Sequence, residues 1–159
     1  MSGIEIKVDT RELSVVADRL NQLGDADKRE MLDGLGALGV SQTQQRIASE
    51  KRSPDGEAWK PNRRGSSILL QQGHLLGSIA HHVGSDHVSW GSNLVYAAIH
   101  QLGGTIRPKK AKRLVFRVGN MTIFAKEVTI PARSYLGFSG ANIAEIGETV
   151  HNWLQDSLQ

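Results

Sequence analysis

The chain has 159 residues, of which 39% are hydrophobic and 22% charged, and a formal net charge of +3. This length favours one domain with a substantial core over two domains. The absence of cysteine excludes disulfides and thiolate chemistry, which fits synthesis inside a cell, and no stretch approaches the roughly 18 apolar residues of a membrane span.

The first part of the chain is predicted to form a strand and two helices. It opens with MSGIEIKVDTREL, which does not follow the pattern of a signal peptide. Apolar residues alternate with polar ones in a predicted opening strand at Ile4, Ile6 and Val8. A helix closed by Gly24 is predicted from the helical spacing of Leu13, Val16, Leu20 and Leu23. A second helix is predicted from about Asp27 to Glu50.

Residues 34–39 read GLGALG and match the dinucleotide-binding pattern G-x-G-x-x-G. That fingerprint works only where a strand precedes the glycine turn and a helix follows it. Here the preceding residues, DKREMLD, are helical in pattern. We therefore interpret Gly34, Gly36 and Gly39 as helix positions that permit close packing against another helix or a second subunit, and we expect no bound cofactor.

The middle of the chain combines a polar loop with a predicted strand pair. Trp59 is a large apolar residue in an otherwise polar loop, so we expect it to dock onto the body of the protein. A strand is predicted near Ile79 to Val83, and a turn at 84–86 leads to a second strand that contains Val88 and Trp90.

The second half is predicted to contain two helices and further strands. A short helix from Leu94 to Leu102 ends at a glycine pair, and RLVFRV and MTIFAK flank Gly119 in a hairpin. Ser139 can cap a final amphipathic helix with apolar residues at Ile143, Ile146, Val150, Trp153, Leu154 and Leu158. The prediction is an α+β fold: an antiparallel sheet with a hairpin, packed by N-terminal helices and a C-terminal helix.

Basic residues concentrate in two proline-containing stretches that we expect to be flexible loops, near residues 51–67 and 105–113. They serve either as solubilising loops or as contacts for an acidic or nucleic-acid partner. Their members are Lys51, Arg52, Lys60, Arg63, Arg64, Arg107, Lys109, Lys110, Lys112 and Arg113.

No pattern of catalytic or metal-binding residues is evident, so we expect neither an enzyme nor a metal site. The serines lack a G-x-S-x-G elbow, and no carboxylate pair follows a predicted strand. His81 and His82 are adjacent in a predicted strand and point to opposite faces, while His81 and His87 could meet across a hairpin without a third ligand.

Four motifs in order carry a resemblance: SPDGEAWKP, LLQQGHLLGSI, VSWGSNLVYAAIHQLGGTI and IPARSYLGFS, followed by an amphipathic helix. The series resembles the phage virion morphogenesis or tail completion family, of the type of the S protein of phage P2 and the G protein of phage Mu. It is also similar to the broader tail-component proteins typified by a small protein of phage HK97. The resemblance spans essentially the whole chain.

The resemblance implies a structural protein of the phage neck or tail, assembled in the host cytoplasm and present in the virion. It implies a ring of identical subunits, often six-fold, with other tail or neck proteins and the double-stranded DNA in the channel as partners. A basic protein that binds nucleic acid without sequence specificity is the alternative. The family motif positions carried over are Trp59, Tyr96, Ala97, Gly103, Gly104, Pro131, Ala132, Arg133 and Tyr135, none of them catalytic.

Two positions depart from the family pattern. Ser134 stands where the family often has proline, and Gln72 stands where it has the threonine of a TGxL motif.

Overall fold

The structure is a computed structural model that describes residues 3–9, 24–62, 65 and 67–157. Its helices are α1 (Asp25–Gln45), continued by a π-helical turn (Arg46–Glu50), α2 (His74–Gly77), α3 (Ala97–Leu102) and α4 (Gly140–Ser157). Its strands are β1 (Ile4–Asp9), β2 (Ala80–Val83), β3 (His87–Ser92), β4 (Gly104–Ile106), β5 (Leu114–Val118), β6 (Met121–Ala125) and β7 (Val128–Ile130). The predicted helix with Leu13, Val16, Leu20 and Leu23 lies outside the described residues.

The main sheet has three antiparallel strands in the order β1-β3-β2. Its register places Val88 opposite Val8 and Val83, and Trp90 opposite Ile6. Because side chains alternate along a strand, these residues share one face, and α1 packs on it through Leu32 and Leu35 of the core. The predicted opening strand, the strand pair and the long helix are confirmed.

The glycines of α1 pack against this sheet within the same chain. A methyl group on Gly39 would lie 2.4–2.6 Å from the indole of Trp90, and one on Gly36 would lie 2.5 Å from the ring of His81. Gly34 is exposed and would meet nothing within 4 Å. The expected close packing against a helix or a second subunit is therefore corrected for Gly36 and Gly39, which are buried by the sheet. The hypothesis of subunit packing at Gly34 stays a prediction.

The C-terminal helix is capped as predicted. The amide of Asn142 donates to Ser139 Oγ at 3.1 Å, and the amide of Ser139 donates to Asn142 Oδ1 at 3.1 Å. This reciprocal pair satisfies backbone donors at the helix start. Val150 and Leu154 are buried, whereas Ile143, predicted on the same apolar stripe, is 60% exposed. No helix in the described ranges is long and apolar enough to cross a membrane.

Residues 104–130 leave the body as two nested strand pairs, which we call the arm. The outer strands β4 and β7 pair with each other, and the inner strands β5 and β6 form a separate two-stranded sheet. Val118 pairs with Met121 across a two-residue turn in which Gly119 has φ +60°, so the predicted hairpin is confirmed. The α+β class is also confirmed, with the strands divided among three sheets.

The glycine packing predicts opposite effects for two similar substitutions in α1. Gly39→Ala should lower the free energy of unfolding by about 1–3 kcal/mol, because the new methyl group overlaps the Trp90 ring. Gly34→Ala is the matched control and should raise it by up to about 1 kcal/mol through helix propensity. Chemical denaturation of both variants measures this difference, and equal effects at the two positions would contradict the packing.

Candidate assembly surface

The extended segment 131–139, which we call the hub segment, connects five parts of the molecule. It follows β7 and leads into α4, and it passes beside α1, α3 and the loop at residues 51–62. Since it belongs to no strand, most of its described backbone hydrogen bonds are made with side chains of these neighbours, while the Arg133 amide donates to the backbone carbonyl of His100 at 2.8 Å.

Arg46 holds the hub segment from the end of α1. Its guanidinium donates to the carbonyl oxygens of Tyr135 at 2.9 Å and Gly137 at 3.2 Å, and also to Asn142 Oδ1. The side chain is fully buried, with Glu50 3.8 Å from its Nε. Burial lowers the pKa of Arg46 and the Glu50 carboxylate opposes that shift, yet arginine keeps its charge in proteins. One cation therefore joins α1, the hub segment and the capped start of α4.

Gln101 holds the hub segment from α3. Its Oε1 accepts from the amides of Tyr135 and Leu136, both at 2.9 Å, and its Nε2 donates to the Leu136 carbonyl at 2.9 Å. The hydroxyl of the fully buried Tyr135 donates to the carbonyl of Ala97 at 2.9 Å. Burial raises the pKa of that phenol, so Tyr135 stays protonated and remains a donor.

Trp59 and Arg133 join the hub segment to the loop at residues 51–62. The Trp59 indole is buried and donates to the carbonyl of Ser134 at 3.3 Å. This apolar residue of the loop therefore docks on the hub segment. Arg133 Nε donates to the Lys60 carbonyl at 2.9 Å, and its guanidinium also reaches Pro61 at 3.4 Å. Each of the two segments therefore donates a side-chain hydrogen bond to a backbone carbonyl of the other.

The family motif positions mostly serve this internal framework. Gly103 has φ +72°, and a methyl group there would lie 2.7 Å from the backbone nitrogen of Ala132 in the hub segment. With Trp59, Arg133 and Tyr135 it is placed inside one chain rather than on a subunit surface. Tyr96 differs, because it is exposed and touches His100 edge to face. Gly104 is exposed and starts β4, and Pro131 is half-buried.

The first basic stretch does not form one continuous charged surface. Lys51 turns inward, where its Nζ donates to the carbonyl oxygens of Ile47 and Ile68, and burial lowers its pKa. Arg52 is exposed and donates to the carbonyl of Gly56 at 3.2 Å. The expectation that Lys51 faces a partner is corrected by this geometry. Lys60 is exposed, and Arg63 and Arg64 lie outside the described residues.

The second basic stretch lies on the arm, between β4 and β5. Lys109, Lys110, Lys112 and Arg113 are all exposed. Arg107 is also exposed, and its Nε lies 2.9 Å from Glu127 Oε2. Five predicted basic residues are thus brought together at the surface. The flexibility expected for the two basic stretches stays a prediction.

The arm and its base carry most of the exposed large apolar side chains among the described residues. Val115 and Phe124 are directly opposite each other in the β5–β6 pair, and each is 61% exposed. Met121 is 65% exposed at the turn. At the base, the exposed apolar residues are Val95, Leu102 and Ile106. Exposed apolar side chains concentrated in one part of a protein are typical of surfaces that associate with other proteins.

Other candidate chemistry is not assembled in the described part of the chain. GLGALG lies in the middle of α1, so the turn and helix N-terminus that a dinucleotide needs are not formed there. His81 binds Asp33 at 2.8 Å and His87 binds Asp86 at 3.0 Å, so the two histidines do not meet. No set of three potential metal ligands converges among these residues.

Sequence reasoning did not identify Arg46, Gln101 or the apolar faces of the arm. Arg46 follows Leu35 and Gly39 at helical spacing, so extending the apolar stripe of α1 would have marked it as inward-facing. The run LVFRV shows apolar residues on both faces of β5, a second available signal. For Gln101 no local signal exists, because its partners are 34 and 35 residues away.

Comparison with known proteins gives consistent results. The model of the phage virion morphogenesis family matches residues 8–155. Protein G of Escherichia phage Mu, whose name assigns it provisionally to capsid assembly, is 26% identical over 168 residues. That alignment covers 98% of this chain and 97% of the phage Mu protein. No solved structure matches.

The hub contacts predict that Gln101 is a stability determinant. Gln101→Met leaves two backbone amides and one carbonyl of the hub segment without their partner, so the free energy of unfolding should fall by about 2–3 kcal/mol. The exposed Gln45→Met is the matched control, with an expected change within about 0.5 kcal/mol. Similar stabilities for the two variants in denaturant titrations would show that the hub contacts contribute little.

His100 predicts a pH dependence of stability. Burial, and secondarily the positive charge of Arg133, lowers the pKa of His100 below its ordinary value of 6.5. As the pH falls below that value the unfolded chain takes up a proton that the folded chain does not, so stability is lost with falling pH. His100→Gln should show a smaller loss between about pH 7.5 and 5.5 than the parent chain. Identical pH profiles of stability for His100→Gln and the parent chain would contradict this assignment.

Proposed function

The chain belongs to the phage virion morphogenesis family, and on that premise we propose that it is a structural protein acting at tail completion, where tail and head are joined. In this proposal it works by assembly rather than by catalysis. Its partners are further copies of itself and other proteins of the phage tail or neck, and its place is the neck or tail of the virion.

The proposal rests on one observation: the chain combines a body held together by internal hydrogen bonds with an exposed arm. The hub segment ties α1, α3, α4 and the loop at residues 51–62 into one body. The arm contributes no residue to the described core and exposes apolar side chains on strands. A protein that joins preformed parts needs such a body to keep its shape and such a surface to associate.

We further propose a closed ring of identical subunits, with six copies, around the channel for the DNA. A ring requires one surface of each subunit to fit a different surface of the next, which is a heterologous contact. The arm supplies a surface that the body of the same chain does not cover.

A second candidate function is binding of nucleic acid without sequence specificity. Four exposed cations at positions 109, 110, 112 and 113 favour it, because neutralising phosphates releases counterions whatever the base sequence. A single arm holds few such groups, whereas a ring would present them repeatedly along a channel.

The proposed function predicts a defined defect in phage particles. Phage that lack this protein should accumulate filled heads and unjoined or irregular tails, and the protein should be located at the head–tail junction by imaging of virions. Normal, infectious particles in its absence would overturn the proposal. A monomer in solution would not, because such a ring can close only on a tail end.

The second candidate predicts a salt-dependent affinity for duplex DNA. Converting Lys109, Lys110, Lys112 and Arg113 together to glutamine should abolish binding and flatten a steep dependence of affinity on salt concentration. The exposed Lys7 of β1 and Arg29 of α1, converted in the same way, are the control. Absence of binding by the parent chain at about 50 mM salt counts against this function.

A further inference from the structure

We propose that the arm of one subunit docks on helix α4 of a second copy of this chain. The proposal rests on the assembly function above and names the two surfaces that would form the contact between subunits. Three observations on different parts of the molecule support it: the apolar faces of the arm, the division of charge, and the surface of α4.

The inner strands of the arm carry apolar residues on both faces but have only each other as strand partners. Val115 and Phe124 form the more exposed face, and the opposite face contains Phe116 and Ile123, which are half-buried. None of these residues belongs to the described hydrophobic core or packs against it. A two-stranded hairpin alone is marginally stable in water, so this one calls for a covering partner.

The charge of the chain is divided between the arm and the rest. The arm contains seven lysine and arginine residues and one glutamate, a formal charge of +6. The remainder of the chain contains 12 lysine and arginine residues and 15 aspartate and glutamate residues, a formal charge of −3. Arm and body of different copies therefore attract each other, and two arms repel. This complementarity favours a contact of arm to body over a contact of arm to arm.

Helix α4 has the matching properties. It contains three carboxylates, at Glu145, Glu148 and Asp156, and no lysine or arginine. Near its start Ile143 is 60% exposed, although it continues the apolar stripe that is buried further along the helix. Ile143 is the one exposed large apolar residue in the described chain outside positions 95–124. Helix α4 thus combines an exposed apolar side chain with a net negative charge, whereas the arm combines the exposed Phe124 and Val115 with a net positive charge.

DNA as a partner would account for the positive charge of the arm but not for its exposed apolar side chains. Its phosphates would pair with the lysines, but they offer no apolar surface to Val115, Phe124 or Met121. A second copy accounts for both the charge and the exposed apolar side chains. The contact is also heterologous, since arm and α4 are different surfaces, and repetition of it generates a ring or a filament.

Cysteine cross-linking tests the contact directly, because the natural chain contains no cysteine. Protein with Phe124→Cys and protein with Ile143→Cys, carrying tags of different length, are mixed and treated with a short bismaleimide. A cross-linked product that contains both tags therefore reports a contact between two different chains. We expect a yield at least several-fold above that of a control mixture in which the exposed Gln72→Cys replaces Ile143→Cys. The reaction is repeated on tails isolated from phage that express both variants.

Equal yields in the two mixtures, in solution and on tails, would overturn the proposal. So would an arm that cross-links to another tail protein and not to α4. DNA binding that is lost in the variant with Lys109→Glu and Lys110→Glu, with self-association unchanged, would assign the arm to nucleic acid instead and would equally overturn it.

Charge reversal gives an independent readout that a merely unfolded variant cannot imitate. Lys109→Glu with Lys110→Glu, and separately Glu148→Lys with Asp156→Lys, should each weaken self-association about tenfold or more. Combining the two pairs should restore it, as measured by light scattering and by complementation of the phage defect. Glu145 is left unchanged because it accepts a hydrogen bond from Gln42 at 2.7 Å.

The contact between arm and α4 and the function in tail completion are tested by different results. If the combined reversal does not restore association, the contact is wrong while the tail-completion function stands. If particles form normally without the protein, the function is wrong whatever the cross-links show.

Discussion

The hydrogen bonds that Arg46 donates to the hub segment are the interaction on which the rest of the structure depends. A buried guanidinium needs acceptors for its donors, and an extended segment outside any sheet needs donors for its carbonyl groups. Arg46 Nη1 and the carbonyl groups of Tyr135 and Gly137 therefore satisfy each other. Because Asn142 binds the same guanidinium and also caps α4, the end of α1 fixes where the last helix starts. Gln101 and Trp59 then attach α3 and the loop at residues 51–62 to a segment that is already held.

The arm lies outside this framework. It starts at Gly104, immediately after the closely packed Gly103, and returns to the body at the start of the hub segment. Its two ends are held by the framework, while its inner strands contribute nothing to the described core. The arm carries a charge of opposite sign to the rest of the chain. The arm is therefore fixed to the body at its base, while the β5–β6 hairpin at its other end packs against nothing in the described core. This arrangement suits association with another protein, which connects the fold to virion morphogenesis.

Much of the fold was predictable because its signals are local. Alternation at Ile4, Ile6 and Val8, the turn at Gly119 and the Ser139 cap each involve only a few neighbouring residues, and the structure has all three. Gly39 was predicted to pack closely, but its partner is Trp90, 51 residues later, and helical spacing cannot identify a partner. Lys51 was wrongly placed in a charged surface for the same reason, since its acceptor on Ile68 is distant in sequence. The basic residues of the arm are exposed, and what they face stays a prediction, whereas its apolar faces depend on the absence of core contacts, which only the structure reveals.

Hydrogen exchange of the free protein, compared with that of the protein in assembled particles, distinguishes the rigid body from the arm that associates. We predict that the amides of Tyr135 and Leu136 in the hub segment exchange slowly in both states, because Gln101 binds them within one chain. The amides of β5 and β6 should exchange rapidly in the free protein and become protected on assembly. Equal protection of the arm and the hub segment in the free protein, or an arm whose exchange does not change on assembly, would contradict the account.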